Sequence, residues 1–296
     1  MKELVILSGK GGTGKTSMAG ACIALAHRDT GKVVLADADV DAADLFLLTQ
    51  PVPIEEEDFT SGVEAHINPE RCTGCGRCFS VCRFDAIRIL DNGKAQVTET
   101  GCEGCAVCAH VCPVHAIDLV DRHCGVTWTS DTRFGRMFHA KLDPAGENSG
   151  KLVTLVRQRA KEYARSSGAE WLIVDGPPGI GCPVIASITD ADALLTIAEP
   201  GLSSKHDLVR LLELARHFGI PTMLIVNKWD IDPDITVNIE NEARQMGAIP
   251  VGRIPWSKAL VEAQLSGRTL PEYLPAGDIQ STITEIWEKI CQTMHA

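Results

Sequence analysis

Twelve cysteines stand in 296 residues, and eight of them fall between Cys72 and Cys112. A thiolate is a nucleophile, a soft metal ligand or half of a disulfide. Met1 to Leu7 runs straight into a glycine-rich loop and does not read as a signal peptide, so a reducing, cytoplasmic setting is expected. There, clustered cysteines are metal ligands rather than disulfides. Cys72, Cys75, Cys78 and Cys82 are spaced C-x2-C-x2-C-x3-C, and Cys102, Cys105, Cys108 and Cys112 repeat the spacing 30 residues on. The repeat extends past the sulfurs: Ala86-Ile87 matches Ala116-Ile117, and Ile67 matches Val97. Each half reads as short strand, cysteine loop, short helix and short strand. Gly74, Gly76 and Gly104 allow tight curvature near the sulfurs. Zinc is the plainer metal, but it ordinarily takes two C-x2-C pairs with a longer gap, not two complete four-cysteine runs.

The run resembles the bacterial two-cluster ferredoxins. The resemblance implies two [4Fe-4S] clusters, each drawing three cysteines from one loop and the fourth from the other half. It assigns Cys72, Cys75, Cys78 and Cys112 to cluster I, and Cys102, Cys105, Cys108 and Cys82 to cluster II. Arg83 departs from the pattern, standing where many such ferredoxins have proline, and adds positive charge near cluster II.

A second constellation points to phosphate. Gly9-Lys10-Gly11-Gly12-Thr13-Gly14-Lys15-Thr16 satisfies G-x4-G-K-[ST]. Its backbone N–H groups can wrap phosphate oxygens, with the positive end of the next helix behind them. Gly9, Gly11, Gly12, Thr13, Gly14, Lys15, Thr16 and Ser17 are the nucleotide-binding candidates. Lys15 is expected to reach the β- and γ-phosphates, and Thr16 to ligate Mg²⁺.

The elements that must hold this loop follow from the hydrophobic pattern. Glu3 to Ser8 reads as a buried strand and Ser17 to His27 as a helix. Further strands are expected at Lys32–Asp37, Trp171–Asp175, Ala193–Ala198, Thr222–Asn227 and Pro250–Arg253. Helices are expected at Lys151–Ser166, Ser204–Phe218, Val237–Met246, Ser257–Leu265 and Ile279–Met294. This alternation predicts an α/β fold, a mainly parallel sheet flanked by helices, with active groups at the carboxyl ends of the strands.

Lys10 makes the loop resemble the deviant Walker A motif of the MinD/ParA/Mrp P-loop ATPases. In that family two subunits face each other across two nucleotides, and the extra lysine reaches the partner's phosphates. The resemblance implies that Lys10, Lys15 and Asp39 are catalytic, with Asp39 positioning the attacking water. Asp37 and Asp175 would join Thr16 around Mg²⁺, directly or through water. Asp175-Gly176-Pro177-Pro178-Gly179 looks like Walker B with switch II. Asn227 would contact adenine, although Asn227-Lys228-Trp229-Asp230 also fits the guanine signature read by Asp230. Ile254-Pro255-Trp256 is expected over the other base face. Cys182 lies seven residues after Asp175, the offset of a cluster ligand in the nitrogenase iron protein. A small buried residue at a helix start is the reading preferred for it.

The whole chain resembles MinD-superfamily ATPases with an inserted ferredoxin-like domain, α+β in class. Residues 1–60 and 125–296 are assigned to the ATPase and 61–124 to the insert, entered through the acidic run Glu55 to Asp58 at a surface loop. The function expected is an ATP-binding and ATP-hydrolysing iron-sulfur protein, coupling dimer switching to electron transfer. The alternatives are a Mrp-type cluster scaffold or carrier and a MinD-like spatial organiser. Expected partners are a second copy or a related ATPase and an unidentified redox or client protein. A net charge of −11 argues against a nucleic-acid partner. The tail from Asp278 carries one lysine, Lys289, against Asp278, Glu285 and Glu288, so it reads as a packing helix and not a membrane anchor.

Overall fold

Short apolar runs bounded by glycine and charge become strands here, and periodic segments between them become helices. The computed structural model describes residues 1–98, 101–144 and 146–295. The chain opens with β1 (Lys2–Ser8), α1 (Lys15–Thr30), β2 (Val33–Asp37), α2 (Leu45–Thr49) and β3 (Val52–Ile67). It continues through α3 (Arg77–Val81), β4 (Ile87–Ile89), β5 (Ala95–Val97), α4 (Val107–Val111), β6 (Ile117–Thr132) and β7 (Gly135–Leu142). Then come α5 (Ser149–Ser166), β8 (Trp171–Pro178), α6 (Cys182–Ile188), β9 (Ala193–Ala198) and α7 (Leu202–His217). It closes with β10 (Thr222–Asn227), α8 (Pro233–Gln245), β11 (Ile249–Ile254), α9 (Lys258–Leu265), α10 (Leu270–Tyr273) and α11 (Asp278–Thr293). One compact unit holds Met1–Glu57, Val126–Leu142 and Asn148–Ala296; a second holds Asp58–Gly125 and Asp143–Glu147.

The sheet order is β11-β10-β9-β1-β8-β2-β7-β6-β3. β1 lies parallel between β8 and β9, and β2 is parallel to β7 and β8. β2, β9 and β10 are buried along their whole length, as strands covered on both faces are. The register sets Asp37 beside Asp175. Parallel strands end together, so Ser8, Asp37, Asp175 and Asn227 reach one edge of the sheet.

Helices close both faces. α5 buries Leu152, Val153, Val156, Ala160 and Ala164. α11 buries Ile283, Ile286, Trp287 and Ile290, with the Trp287 ring 4.9 Å from that of Trp171. Its apolar face is therefore used in the core, as the charge of the tail suggested. No helix of the described residues is long and apolar enough to cross a membrane. A buried polar network ties β1 to α5 and α6. The Arg157 guanidinium pairs with Glu3 at 2.6 Å and 3.0 Å and also donates to the carbonyls of Ala186 and Thr189. Such a charge pair holds one geometry only while all its partners remain.

In the second unit α3 and α4 are five-residue helices, and β4 pairs antiparallel with β5. The backbone repeats as the sequence does. φ is +73° at Gly74 and +66° at Gly104, +73° at Gly76 and +64° at Ala106, +53° at Asp85 and +49° at His115. The matched positions Ala86, Ile87, Ala116 and Ile117 are buried. A Cβ at Gly104 would stand 2.3 Å from the Val63 carbonyl oxygen, so this turn requires glycine.

The acidic lead-in Glu55 to Asp58 is not a loop but part of β3. Glutamate is a poor strand former, yet Trp128 donates to Glu56 at 2.7 Å and Arg159 to Glu57 at 2.5 Å, which offsets that preference. The chain accordingly leaves the first unit within β3 and returns within β6.

Candidate functional site

β1 ends at Ser8 and α1 begins at Lys15, so residues 9–14 form a loop that caps the helix. Gly12 and Gly14 take φ of +78° and +92°. A Cβ at Gly14 would also lie 2.5 Å from Asn227 Nδ2. At Gly14 a side chain is excluded twice, by conformation and by space. Beside the loop is a cavity of about 390 Å³, within the range of small-molecule sites. Gly11, Gly12, Gly14, Lys15, Thr16, Ser17, Asp39 and Asn227 line it, as do Asp44, Lys228, Trp256 and Gln264. Gly9 does not; it packs so closely that a Cβ would meet Asp207 at 2.4 Å.

Three carboxylates surround one ammonium group. Lys15 Nζ lies 2.9 Å from Asp175 Oδ1 and 3.3 Å from Asp39 Oδ2. Burial works against the charge of Lys15, but Asp175 and then Asp39 outweigh it and hold its pKa above the usual lysine value. Asp37 and Asp175 are fully buried. Desolvation, then the neighbouring Asp175 carboxylate, push the Asp37 pKa well up. Desolvation also raises Asp39, against the pull of Lys15. Asp37 is held by the backbone N–H groups of Asp39 and Leu45, each at 3.1 Å. Asp175 Oδ2 and Thr13 Oγ1 are buried without a hydrogen-bond partner. An unpaired oxygen in a cluster of like charge fits a hydrated divalent cation.

Lys10 points elsewhere. Its Nζ lies 2.5 Å from Glu199 Oε1, while Lys228 takes the other Glu199 oxygen at 2.9 Å. Sequence reasoning assigned no role to Glu199. Its signal was available, since it directly follows the carboxyl end of β9, the edge where functional groups gather.

Asn227 is buried and committed to the loop: Nδ2 donates to the Thr13 carbonyl at 2.8 Å, and Oδ1 accepts from Lys228 N–H at 3.0 Å. Lys228 Nζ donates to the Gly12 carbonyl at 3.3 Å. Asp230 is exposed, lies outside the cavity lining, and accepts from Trp256 N–H at 2.6 Å. Trp256 does line the cavity. Cys182 opens α6 but is exposed, so burial of a small thiol does not account for it.

The eight clustered cysteines border two small cavities in the second unit. One is lined by Cys72, Cys75, Cys78 and Cys112, the other by Cys82, Cys102, Cys105 and Cys108. The fourth cysteine of each run thus lies with the other run. Backbone N–H groups point at two of the sulfurs, from Ala65 to Cys102 at 3.4 Å and from Ala116 to Cys112 at 3.3 Å. Such bonds suit thiolates carrying charge. Among the described residues no three His, Cys, Asp or Glu side chains already converge in metal-ligating geometry; the tetrads ring their cavities instead.

Comparison with known proteins agrees with the sheet and the loop. A family model described as the CobQ/CobB/MinD/ParA nucleotide binding domain matches residues 4–270. An uncharacterized protein of Methanocaldococcus jannaschii is 35% identical over 228 residues, 76% of this chain and 78% of that protein. Among solved structures, the MinC:MinD cell division protein complex of Aquifex aeolicus superposes with TM-score 0.57 at 18% identity, covering 99% of this chain and 96% of that one. The septum site-determining protein MinD complexed with Mg-ADP from Pyrococcus horikoshii gives TM-score 0.56 at 15% identity, covering 98% and 95%. At those identities the structural likeness is one of fold, whereas the family model spans most of the sequence, and the chain belongs to the CobQ/CobB/MinD/ParA nucleotide-binding family.

Proposed function

We propose that the chain binds and hydrolyses ATP with Mg²⁺, dimerises in its ATP state, and carries two [4Fe-4S] clusters in its second unit. The nucleotide half rests on one observation above others: Lys15 bridges Asp175 and Asp39 beside a glycine loop, while Asp175 Oδ2 has no partner. In this reading Lys15 turns to the β- and γ-phosphates once nucleotide enters. Asp175 and Asp37, with Thr16, would hold a hydrated Mg²⁺, which would neutralise phosphate charge. Asp39, freed from Lys15, orients the attacking water.

The iron-sulfur half is supported by the two cavities, each bordered by the cysteine set that the ferredoxin resemblance implies. Cys72, Cys75, Cys78 and Cys112 would hold one cluster, and Cys82, Cys102, Cys105 and Cys108 the other. Bound clusters supply one-electron carriers. The residues of the chain supply thiolates, N–H donors and an apolar setting from Ile67, Ile87 and Ile117. Nucleotide-driven switching of the dimer is the step proposed to control electron transfer to an unidentified redox partner.

The test is a redox titration of anaerobically purified protein, followed by EPR, without nucleotide, with MgADP and with a non-hydrolysable ATP analogue. Two reducible clusters whose potential or spectrum changes with nucleotide are expected. Absence of iron would end the iron-sulfur reading, and identical curves in all three states would end coupling through potential.

A further inference from the structure

Lys10 and Lys15 flank one loop, yet they are held in different ways. Lys15 lines the nucleotide cavity; neither Lys10 nor Glu199 does. The Glu199 side chain is only 20% exposed and receives two ammonium groups, Lys10 at 2.5 Å and Lys228 at 2.9 Å. Lys228 continues to the Gly12 carbonyl, so the same carboxylate also braces the phosphate loop. Partial burial pushes Glu199 upward, but Lys10 and then Lys228 hold it below the usual carboxylate range. It therefore stays charged at neutral pH, and Lys10 stays on it.

We infer that Glu199 is an intramolecular latch that keeps Lys10 from a second copy of this chain until both nucleotides are bound. This rests on the reading that Lys10 acts across a nucleotide-dependent dimer. For Lys10 to reach the partner's phosphates, its contact with Glu199 has to break. Association then carries the cost of that ion pair, which the phosphate charge of the facing subunit must exceed. Partly exposed pairs contribute modestly, which suits a threshold that ATP can overcome and ADP cannot. Glu199 touches no phosphate in this scheme. It is a positioning residue, acting through Lys10 on dimerisation and through Lys228 on the loop.

The test is sedimentation velocity of the anaerobically purified full chain with MgADP and with a non-hydrolysable ATP analogue. Wild type, Glu199→Gln, Glu199→Asp, Lys228→Met, Lys10→Ala and the double variant Lys10→Ala/Glu199→Gln are compared. Glu199→Gln keeps the shape and removes the charge. It is expected to tighten the analogue-dependent dimer by about fivefold in all, the scale of two partly exposed ion pairs, one released by each subunit. Glu199→Asp should behave as wild type. The double variant should match Lys10→Ala, because the latch has nothing left to hold. Lys228→Met, which leaves Lys10 latched, should not tighten the dimer. A Glu199→Gln dimer no tighter than wild type, or equal tightening in the Lys10→Ala background, overturns the latch. Monomers in every nucleotide state for wild type and variants alike would instead overturn the dimer reading beneath it.

Discussion

Lys15 and Asp175 form a buried ion pair at 2.9 Å in which only one of the two aspartate oxygens is used. The pair neutralises part of a carboxylate cluster that the strand register otherwise forces together. Lys15→Met is therefore expected to destabilise the nucleotide-free protein by roughly 3 kcal/mol, since it strands buried carboxylates without a counter-charge. It should also abolish ATP hydrolysis. Urea denaturation in Mg²⁺-free buffer and a phosphate-release assay check the two effects; unchanged stability would mean that the cluster is already protonated.

Asn227 separates two meanings of the same motif. A residue that reads adenine should, when truncated, weaken ATP binding more than GTP binding. A residue that braces the loop should weaken both alike. The bond to the Thr13 carbonyl favours the second outcome. Asn227→Ala is expected to lower affinity for either nucleotide by about tenfold, the scale of one buried hydrogen bond. Fluorescence titration with labelled ATP and GTP decides it, and a selective loss for ATP would restore the adenine contact.

The crossed cysteines make a pairwise prediction. Cys112→Ser should disturb the cluster bordered by Cys72, Cys75 and Cys78, although it lies on the other run. Cys82→Ser should disturb the cluster bordered by Cys102, Cys105 and Cys108. Iron analysis and EPR of each variant, read against Cys75→Ser and Cys105→Ser, test it. Cys112→Ser is expected to share the spectral change of Cys75→Ser; agreement with Cys105→Ser would refute the crossing.

His139 offers a pH test of the first unit. Burial holds its pKa down at about 4. Its ring stacks on Trp128 and meets the Ser130 hydroxyl at 2.8 Å. The neutral ring contributes stability that is full above the ordinary histidine pKa of about 6.5 and is lost as pH falls from there to about 4. The loss is at most roughly 3 kcal/mol. Denaturation midpoints between pH 7 and pH 4 should fall less steeply for His139→Gln than for wild type; parallel curves would rule out the linkage.

Much of this architecture is legible in the residues themselves. β1, the glycine loop and α1 announce themselves because an apolar run, a phosphate motif and a small-residue helix follow one another without a gap. The cysteine repeat likewise carries its backbone with it, down to the shared positive φ of Gly76 and Ala106. What escaped is strand built from polar residues. β3 carries a run of glutamates, and β7 has charged residues among its apolar ones. Their stability comes from neighbouring strands and from Trp128 and Arg159, which no local window contains. Glu199 escaped for a related reason, since its meaning lies in two lysines distant from it in the chain. The motif around Asn227 specifies a position at the site and not which atom it holds, so its bond to the Thr13 carbonyl was not legible in it.

Arg157 fixes one end of α6. Its guanidinium clasps the carbonyls of Ala186 and Thr189, anchoring the last turn of the helix to Glu3 of β1. The first turn begins at exposed Cys182, after Gly179 and Gly181. A tug on the loop after Asp175 is thus expected to swing the helix like a door, hinged at residue 188 and open at residue 182. Hydrogen exchange should then respond to nucleotide at the outer edge of that door and stay quiet at its jamb; a uniform response along the helix would show that no hinge exists.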